Sequence, residues 1–130
     1  MKAINTSGKR KSATAKAVLR EGNGTIRINS GLLENYQPVL GRERINEPLI
    51  LAGDAAKKVD IDVSVSGGGW QGQNEASRLA IARALVKYDK KLKEKFLKYD
   101  RHLLIADIRV KEMYKPNDSK ARAKRMKSYR

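Results

Sequence analysis

Residues 58–88 read KVDIDVSVSGGGWQGQNEASRLAIARALVKY, and the change of period within them decides the fold. Val59, Ile61, Val63 and Val65 fall on one side of an extended chain, with Asp60, Asp62 and Ser64 on the other. That alternation predicts a half-buried strand over Lys58–Ser66. Gly67-Gly68-Gly69 ends it, because three glycines cannot hold a strand at low cost. From Gln73 onward Ala76, Ala80 and Ala84 recur every four residues, with Leu79, Leu85 and Val86 adding bulk. Gln73–Tyr88 is therefore predicted as a helix that can lie close against a sheet.

The flanking sequence supplies partners for these two elements. In Lys11–Arg20, Ala13, Ala15, Ala17 and Leu19 share one face; in Thr25–Asn29, Ile26 and Ile28 flank Arg27. The glycine-bearing turn at Glu21-Gly22-Asn23-Gly24 between them predicts a hairpin. Ala3–Ser7 is a candidate short strand before it. Gly31–Tyr36 reads as a turn and Arg42–Ala52 as a helix that Pro48 should break in two. Lys90–Lys98 is a second amphipathic helix, with Leu92, Phe96 and Tyr99 on its apolar stripe. Leu103-Leu104-Ile105 fits a fourth strand leading into Asp107 and Arg109. The expected architecture is an α/β (α+β) domain around a roughly four-stranded sheet.

Charge is the second strong signal. The 130 residues carry a net charge of +15, with pI near 10.2, and 40% of them are hydrophobic. One modest core is within reach of this length. Residues 1–20 contribute +6 and residues 111–130 another +6, leaving only +3 for the middle. Two basic extensions flank a nearly balanced centre, so the chain divides into a globular unit, 1–110, and a basic C-terminal tail, 111–130. The tail has too few large apolar side chains to fold alone and needs an acidic partner, of which nucleic acid is the commonest. No long apolar run or lipidation signal suggests a membrane, and the absence of cysteine excludes a disulfide framework. A cytoplasmic location is compatible with these features.

Two short motifs can meet phosphate. Gly67-Gly68-Gly69 lies between a strand and a helix N-terminus, where backbone N–H groups can receive an anion or merely make the turn. It is neither a Walker loop nor a dinucleotide fingerprint, since no Gly-Lys-Ser/Thr closes it and the G-x-G-x-x-G spacing is incidental. Trp70 beside it can stack on a base or cover the sheet edge. Gly8-Lys9-Arg10-Lys11 is a cation triplet entering a strand, and the surrounding +6 favours phosphate contact over a solvated run. Arg78, Arg83 and Lys87 are assigned to the solvent face of the long helix. His102 is the only imidazole, and Asp60 and Asp62 lack a partner for metal or acid–base work, so no catalytic site, metal or cofactor is expected.

Taken in order, Gly8-Lys9-Arg10-Lys11-Ser12-Ala13-Thr14-Ala15, Gly22-Asn23-Gly24, Glu47-Pro48-Leu49, Gly67-Gly68-Gly69, Ile81-Ala82-Arg83-Ala84-Leu85-Val86, Tyr99-Asp100-Arg101, Ala106-Asp107 with Arg109, Ala121-Arg122-Ala123 and Lys127-Ser128-Tyr129-Arg130 run from end to end of the chain. In this ordered set the sequence resembles the small-subunit ribosomal protein nine family in its archaeal form, whose eukaryotic counterpart is small-subunit protein sixteen. The resemblance implies two layers, with helices on one face of the sheet and a left-handed β-α-β crossover. It implies a structural place in the head of the small ribosomal subunit, among neighbouring head proteins, with no small-molecule substrate. It further implies ribosomal RNA contacts through Lys9, Arg10, Lys11, Gly67, Gly68, Gly69, Arg109, Lys111, Lys115, Lys120, Arg122, Lys124 and Arg125. Lys127, Ser128, Tyr129 and Arg130 would then approach the transfer RNA in the peptidyl site. Met126, Tyr114 and Asn117-Asp118 depart from the family's usual glutamine, cation and glycine-rich step, which bears on the path of the tail. Two rival readings are a protein subunit of an RNA-processing ribonucleoprotein and a small phosphotransferase using the glycine run.

Overall fold

The computed structural model describes residues 2–123. Five strands form one mixed sheet in the order β1-β2-β5-β3-β4: β1 Ile4–Arg10, β2 Ala13–Glu21, β3 Ile26–Ile28, β4 Gly31–Leu32 and β5 Val59–Ser66. Three helices accompany it, α1 Val39–Ala52, α2 Trp70–Tyr88 and α3 Leu92–Tyr99. The fold is α+β, as the change of period predicts.

The sheet is one strand larger than expected and connected differently. Val59, Ile61, Val63 and Val65 are all buried, and β5 lies at the centre of the sheet, antiparallel to β2 and parallel to β3. The expected hairpin of β2 with β3 therefore does not form: β5 is inserted between them, and the true hairpins are β1-β2 and β3-β4. The reason is apolar demand. A strand with four branched apolar residues on one face gains most from a neighbour on each side, and the short β3 alone cannot cover β2. Because β3 and β5 are parallel, the chain must cross over between them, and α1 makes that crossover.

Pro48 does not break α1. Gly41, Ile45, Pro48 and Ala52 form its buried stripe, and α1 packs on α2 along this side. Burial of the proline ring in that contact offsets the hydrogen bond that its nitrogen cannot donate. Leu103-Leu104-Ile105 is likewise not a strand: Arg101–Leu103 is a short 3-10 turn, with Leu103 buried.

The alanine stripe of α2 behaves as its spacing predicts. Ala76, Ala80 and Ala84 are fully buried against a sheet whose own inner face is Ala13, Ala15, Ala17 and Leu19. Small residues on both sides let the layers approach, and Gly8 is the closest point: a Cβ there would overlap the Ala76 carbonyl and lie 2.9 Å from the Ala80 nitrogen. Gly8→Ala is expected to cost about 1–3 kcal/mol by overpacking, measured by chemical denaturation. An unchanged midpoint would show that the helix can shift away freely. The opposite face of the sheet, with Lys9, Lys16, Arg20, Arg27, Asp62 and Ser64, is open.

Candidate nucleic-acid interface

The two phosphate-compatible motifs, far apart in sequence, meet in space. Gly67 and Gly68 adopt φ of +76° and +65°, and their backbone rides directly over the β1-β2 turn. A Cβ on Gly67 would lie 2.5 Å from the Ser12 carbonyl, and one on Gly68 would lie 3.0 Å from the Ala13 nitrogen. Both glycines are thus required by the left-handed backbone and by this close approach. Gly69 faces open space and caps α2 without a side-chain partner. The N-terminal N–H groups of α2 therefore open beside the turn that carries Lys11, itself at φ +54°. Trp70 begins the helix with 47% of its surface accessible, so it does not serve as a buried cover.

The cation triplet separates into two roles. Lys9 and Lys11 are exposed, whereas the Arg10 side chain is only 14% exposed. Arg10 Nε donates to Glu75 Oε2 at 2.7 Å, and Nη1 lies 3.0 Å from Asp107 Oδ2 as a charge contact. Arg10 thereby ties the first strand to the segment that leads into the tail.

Two arginines placed on the solvent face by the sequence reading join the same arrangement. Arg78 is not solvent-facing but 4% exposed; its Nε donates to Glu47 at 2.8 Å and its Nη2 to Asp100 at 3.1 Å. The physical reason is a pair of carboxylates, one from α1 and one from the end of α3, converging where α2 passes between them. Arg83 Nη1 donates to the Ser7 carbonyl at 2.9 Å and its Nε to the Leu104 carbonyl at 3.2 Å. Its guanidinium thus bridges β1 to residue 104 where no backbone ladder joins them. Asp107 completes the set by accepting from the Arg109 backbone N–H at 3.0 Å and from its Nη2 at 2.6 Å.

Residues 100–109 are consequently fastened to β1 and α2 at several points, with Arg78 also reaching Glu47 of α1. The Arg109 side-chain hydrogen bonds, its backbone N–H and the nearby Arg10 hold the Asp107 carboxyl well below the usual carboxylate range. Burial opposes ionisation of Asp100, but the His102 N–H and Arg78 outweigh it and its pKa also falls. Carboxylates with depressed folded pKa values stabilise at pH above their unfolded values, and that stability is lost as pH falls through the folded ones. The tail root should therefore remain fastened at pH 4. Carboxyl carbon shifts in an NMR titration check this: a midpoint near the ordinary value of about 3.9 for Asp107 would contradict it.

Beyond the root, Lys111, Lys115 and Lys120 are exposed, and Lys111 Nζ lies 4.8 Å from the Tyr114 ring centroid. Arg122 reaches back to Glu112 at 2.5 Å, an exposed pair of little energetic weight. Asn117 adopts φ +64°, so asparagine supplies the left-handed bend that glycine makes elsewhere. Lys124, Arg125, Lys127, Ser128, Tyr129 and Arg130 lie outside the described residues. Among the described residues no cluster of metal-binding side chains occurs, and no helix is long and apolar enough to cross a membrane.

Not foreseen from the sequence are the Arg78 pairing with Glu47 and Asp100, the Arg10 pairing with Glu75 and Asp107, and the carbonyl contacts of Arg83. The four carboxylates show in the sequence only as acids set into an otherwise basic chain, and which cation each meets depends on the tertiary fold.

Comparison with known proteins finds relatives of the whole chain. The chain is 49% identical to the small ribosomal subunit protein uS9 of Methanothrix thermoacetophila and 48% identical to that of Methanococcus maripaludis, covering all of this chain and all of each relative. Each match runs the full length of both chains. Residues 8–130, from the first glycine of the basic turn to the last arginine, match the description of one family, ribosomal protein S9/S16, a structural rather than an enzymatic one, and the chain belongs to it.

Proposed function

We propose that this chain is a structural constituent of the small ribosomal subunit head, where it binds ribosomal RNA and extends its C-terminal tail to the transfer RNA in the peptidyl site. The observation that carries the proposal is the division of labour among its cations. Arg10, Arg78 and Arg83 are used internally to fix the root of the tail, whereas Lys9, Lys11, Lys111, Lys115 and Lys120 face outward. A tail that must reach a distant ligand benefits from a rigid origin, because fixing its start reduces the volume that its end must search.

In this reading the globular unit is 1–110, ending just after the Asp107–Arg109 contact, and the tail is 111–130. Lys9 and Lys11 with the Gly67–Gly69 loop contact ribosomal RNA at one point. Arg109, Lys111, Lys115, Lys120, Arg122, Lys124 and Arg125 follow the RNA outward. Arg10 contributes by holding the root and, with its charge, to the local field. Lys127, Ser128, Tyr129 and Arg130 reach the transfer RNA, as the family resemblance and the basic composition of the tail support. The particle is cytoplasmic, and neighbouring head proteins pack around the unit.

Salt titration tests the RNA half. Each phosphate neutralised contributes a slope of roughly 0.7–0.9 in log affinity against log salt, so the cations assigned to ribosomal RNA, from Lys9 and Lys11 to Lys124 and Arg125, predict a slope magnitude of about 6–8 for the isolated chain on a ribosomal RNA fragment. Lys9→Gln combined with Lys11→Gln should lower it by about 1.4–1.8. A slope near zero, or one unmoved by the double substitution, would contradict phosphate contact at the turn.

A further inference from the structure

The β1 side of the domain carries cations that belong neither to the basic turn nor to the tail. β1 is the outermost strand there, and a groove of about 740 Å³ runs beside it, lined from β1, β2, α2, α3 and residue 104. Lys16 of β2, Arg83 and Lys87 of α2 and Lys93 of α3 reach the groove, with Val86 and Leu104 among its apolar residues. No carboxylate lines it, so its wall carries a charge of +4.

That charge is not compensated within the chain. Among the described residues none of the four cations takes part in an ion pair. Arg83 donates to the Ser7 and Leu104 carbonyls, neutral groups that fix the guanidinium in place and leave its charge standing. Of the nearby acids, Asp89 accepts from the Lys91 backbone N–H at 3.0 Å, and exposed Asp62 and Glu94 lie outside the groove. Lys87 alone has a local reason for its position, because a cation in the last turn of α2 meets the negative end of the helix. Lys16 and Lys93 come from other elements and have no such reason. Like charges gathered without acids repel one another, and a polyanion relieves that repulsion.

Position indicates which polyanion. In the β1-β2 register Ser7 pairs with Lys16 and Lys9 with Thr14, so Lys9 and Lys16 are diagonal neighbours on the open face of the sheet. The groove is therefore continuous with the turn that carries Lys9 and Lys11, and a run of phosphates meeting that turn can follow the β1 edge into it. We propose that the groove is a second site for the ribosomal RNA backbone, in which Lys16, Lys87 and Lys93 meet phosphates and Arg83 supplies a fixed positive charge. The identity of the polyanion rests on the proposed function; the existence of an anionic occupant rests on the groove alone.

Salt titration and crosslinking together test the site. Lys16, Lys87 and Lys93 are exposed, so replacing them leaves the core intact. Lys16→Gln, Lys87→Gln and Lys93→Gln in one chain are expected to remove about 2.1–2.7 from the slope of log affinity against log salt on a ribosomal RNA fragment, a contribution added to that of the turn and tail. The comparison is Lys90→Gln, Lys95→Gln and Lys98→Gln, which removes the same charge from exposed lysines outside the groove and is expected to lower the slope by less than about 1. Equal losses in the two variants, or a slope unmoved by the first, would overturn the site. In assembled small subunits p-benzoylphenylalanine introduced at Lys93 is expected to give an RNA adduct, and a protein adduct or none would overturn the proposal. The same group at Lys11 separates the two readings. RNA labelled from Lys11 and not from Lys93 removes the groove alone, whereas RNA labelled from Lys93 and not from Lys11 supports the groove and contradicts the contact at the turn.

Discussion

Replacing Arg78 with methionine is expected to destabilise the domain by about 3 kcal/mol, the lower end of the cost of breaking a buried ion pair. The side chain fills space that methionine can roughly fill, so the loss comes from charge rather than volume. Two carboxylates, Glu47 on α1 and Asp100 after α3, would remain without their shared guanidinium. Both keep some contact with water, at 21% and 33% side-chain exposure, which places the effect below that of a fully enclosed pair. Tm should fall by roughly 10–15 °C. Arg78→Lys should recover part of the loss, since an ammonium cannot span both carboxylates with a fixed fork. Thermal unfolding of the two variants checks this, and a loss under about 1 kcal/mol for the methionine variant would show that the pair contributes only as a surface contact does.

The fold was legible where the residues act locally and obscure where they act at a distance. The alternation in β5 and the alanine stripe of α2 specify their elements without help from the rest of the chain. The order of strands does not follow from them. Gly22-Asn23-Gly24 looks like a hairpin turn between β2 and β3, and only the need to bury both edges of β5 separates the two strands. Instead the turn is held by Asp60, whose Oδ1 accepts from the Asn23 and Thr25 N–H groups at 3.0 and 2.9 Å. Pro48 failed as a helix breaker because propensity is a weak prior beside a buried stripe.

The site divides in the same way. Clusters of lysine and arginine announce an acidic partner from composition alone, and the glycine loop shows itself by position between strand and helix. That Gly67–Gly69 packs on the turn carrying Lys11 depends on the β1-β2 hairpin lying against the end of β5, a tertiary fact. Arg78 and Arg83 were misplaced because a periodicity argument treats every arginine on a helix as water-seeking. It cannot see a carboxylate or carbonyl delivered from elsewhere in the chain. Asp107 shows the converse: a carboxylate in a basic tail reads as a minor charge, yet it holds both Arg10 and Arg109.

Removal of Ser128–Arg130 is expected to carry the second large effect, because it separates the two halves of the proposed function. The truncation leaves every fastening of the tail root untouched, so folding and incorporation into subunits should be preserved. What it removes is the terminal guanidinium, whose planar fork can hold two phosphate oxygens at once. One charge-assisted hydrogen-bonded contact of about 1.5–3 kcal/mol corresponds to roughly a ten- to hundredfold change in affinity. Asp107→Asn should act more weakly in the same direction, by freeing the root while keeping the terminus.

The most direct measurement is the dissociation constant of transfer RNA from the peptidyl site of small subunits reconstituted with either the full chain or the chain ending at Lys127, at matched occupancy of the protein. The account predicts equal assembly and at least tenfold weaker transfer RNA binding for the shortened chain. Equal affinity in the two particles would contradict it.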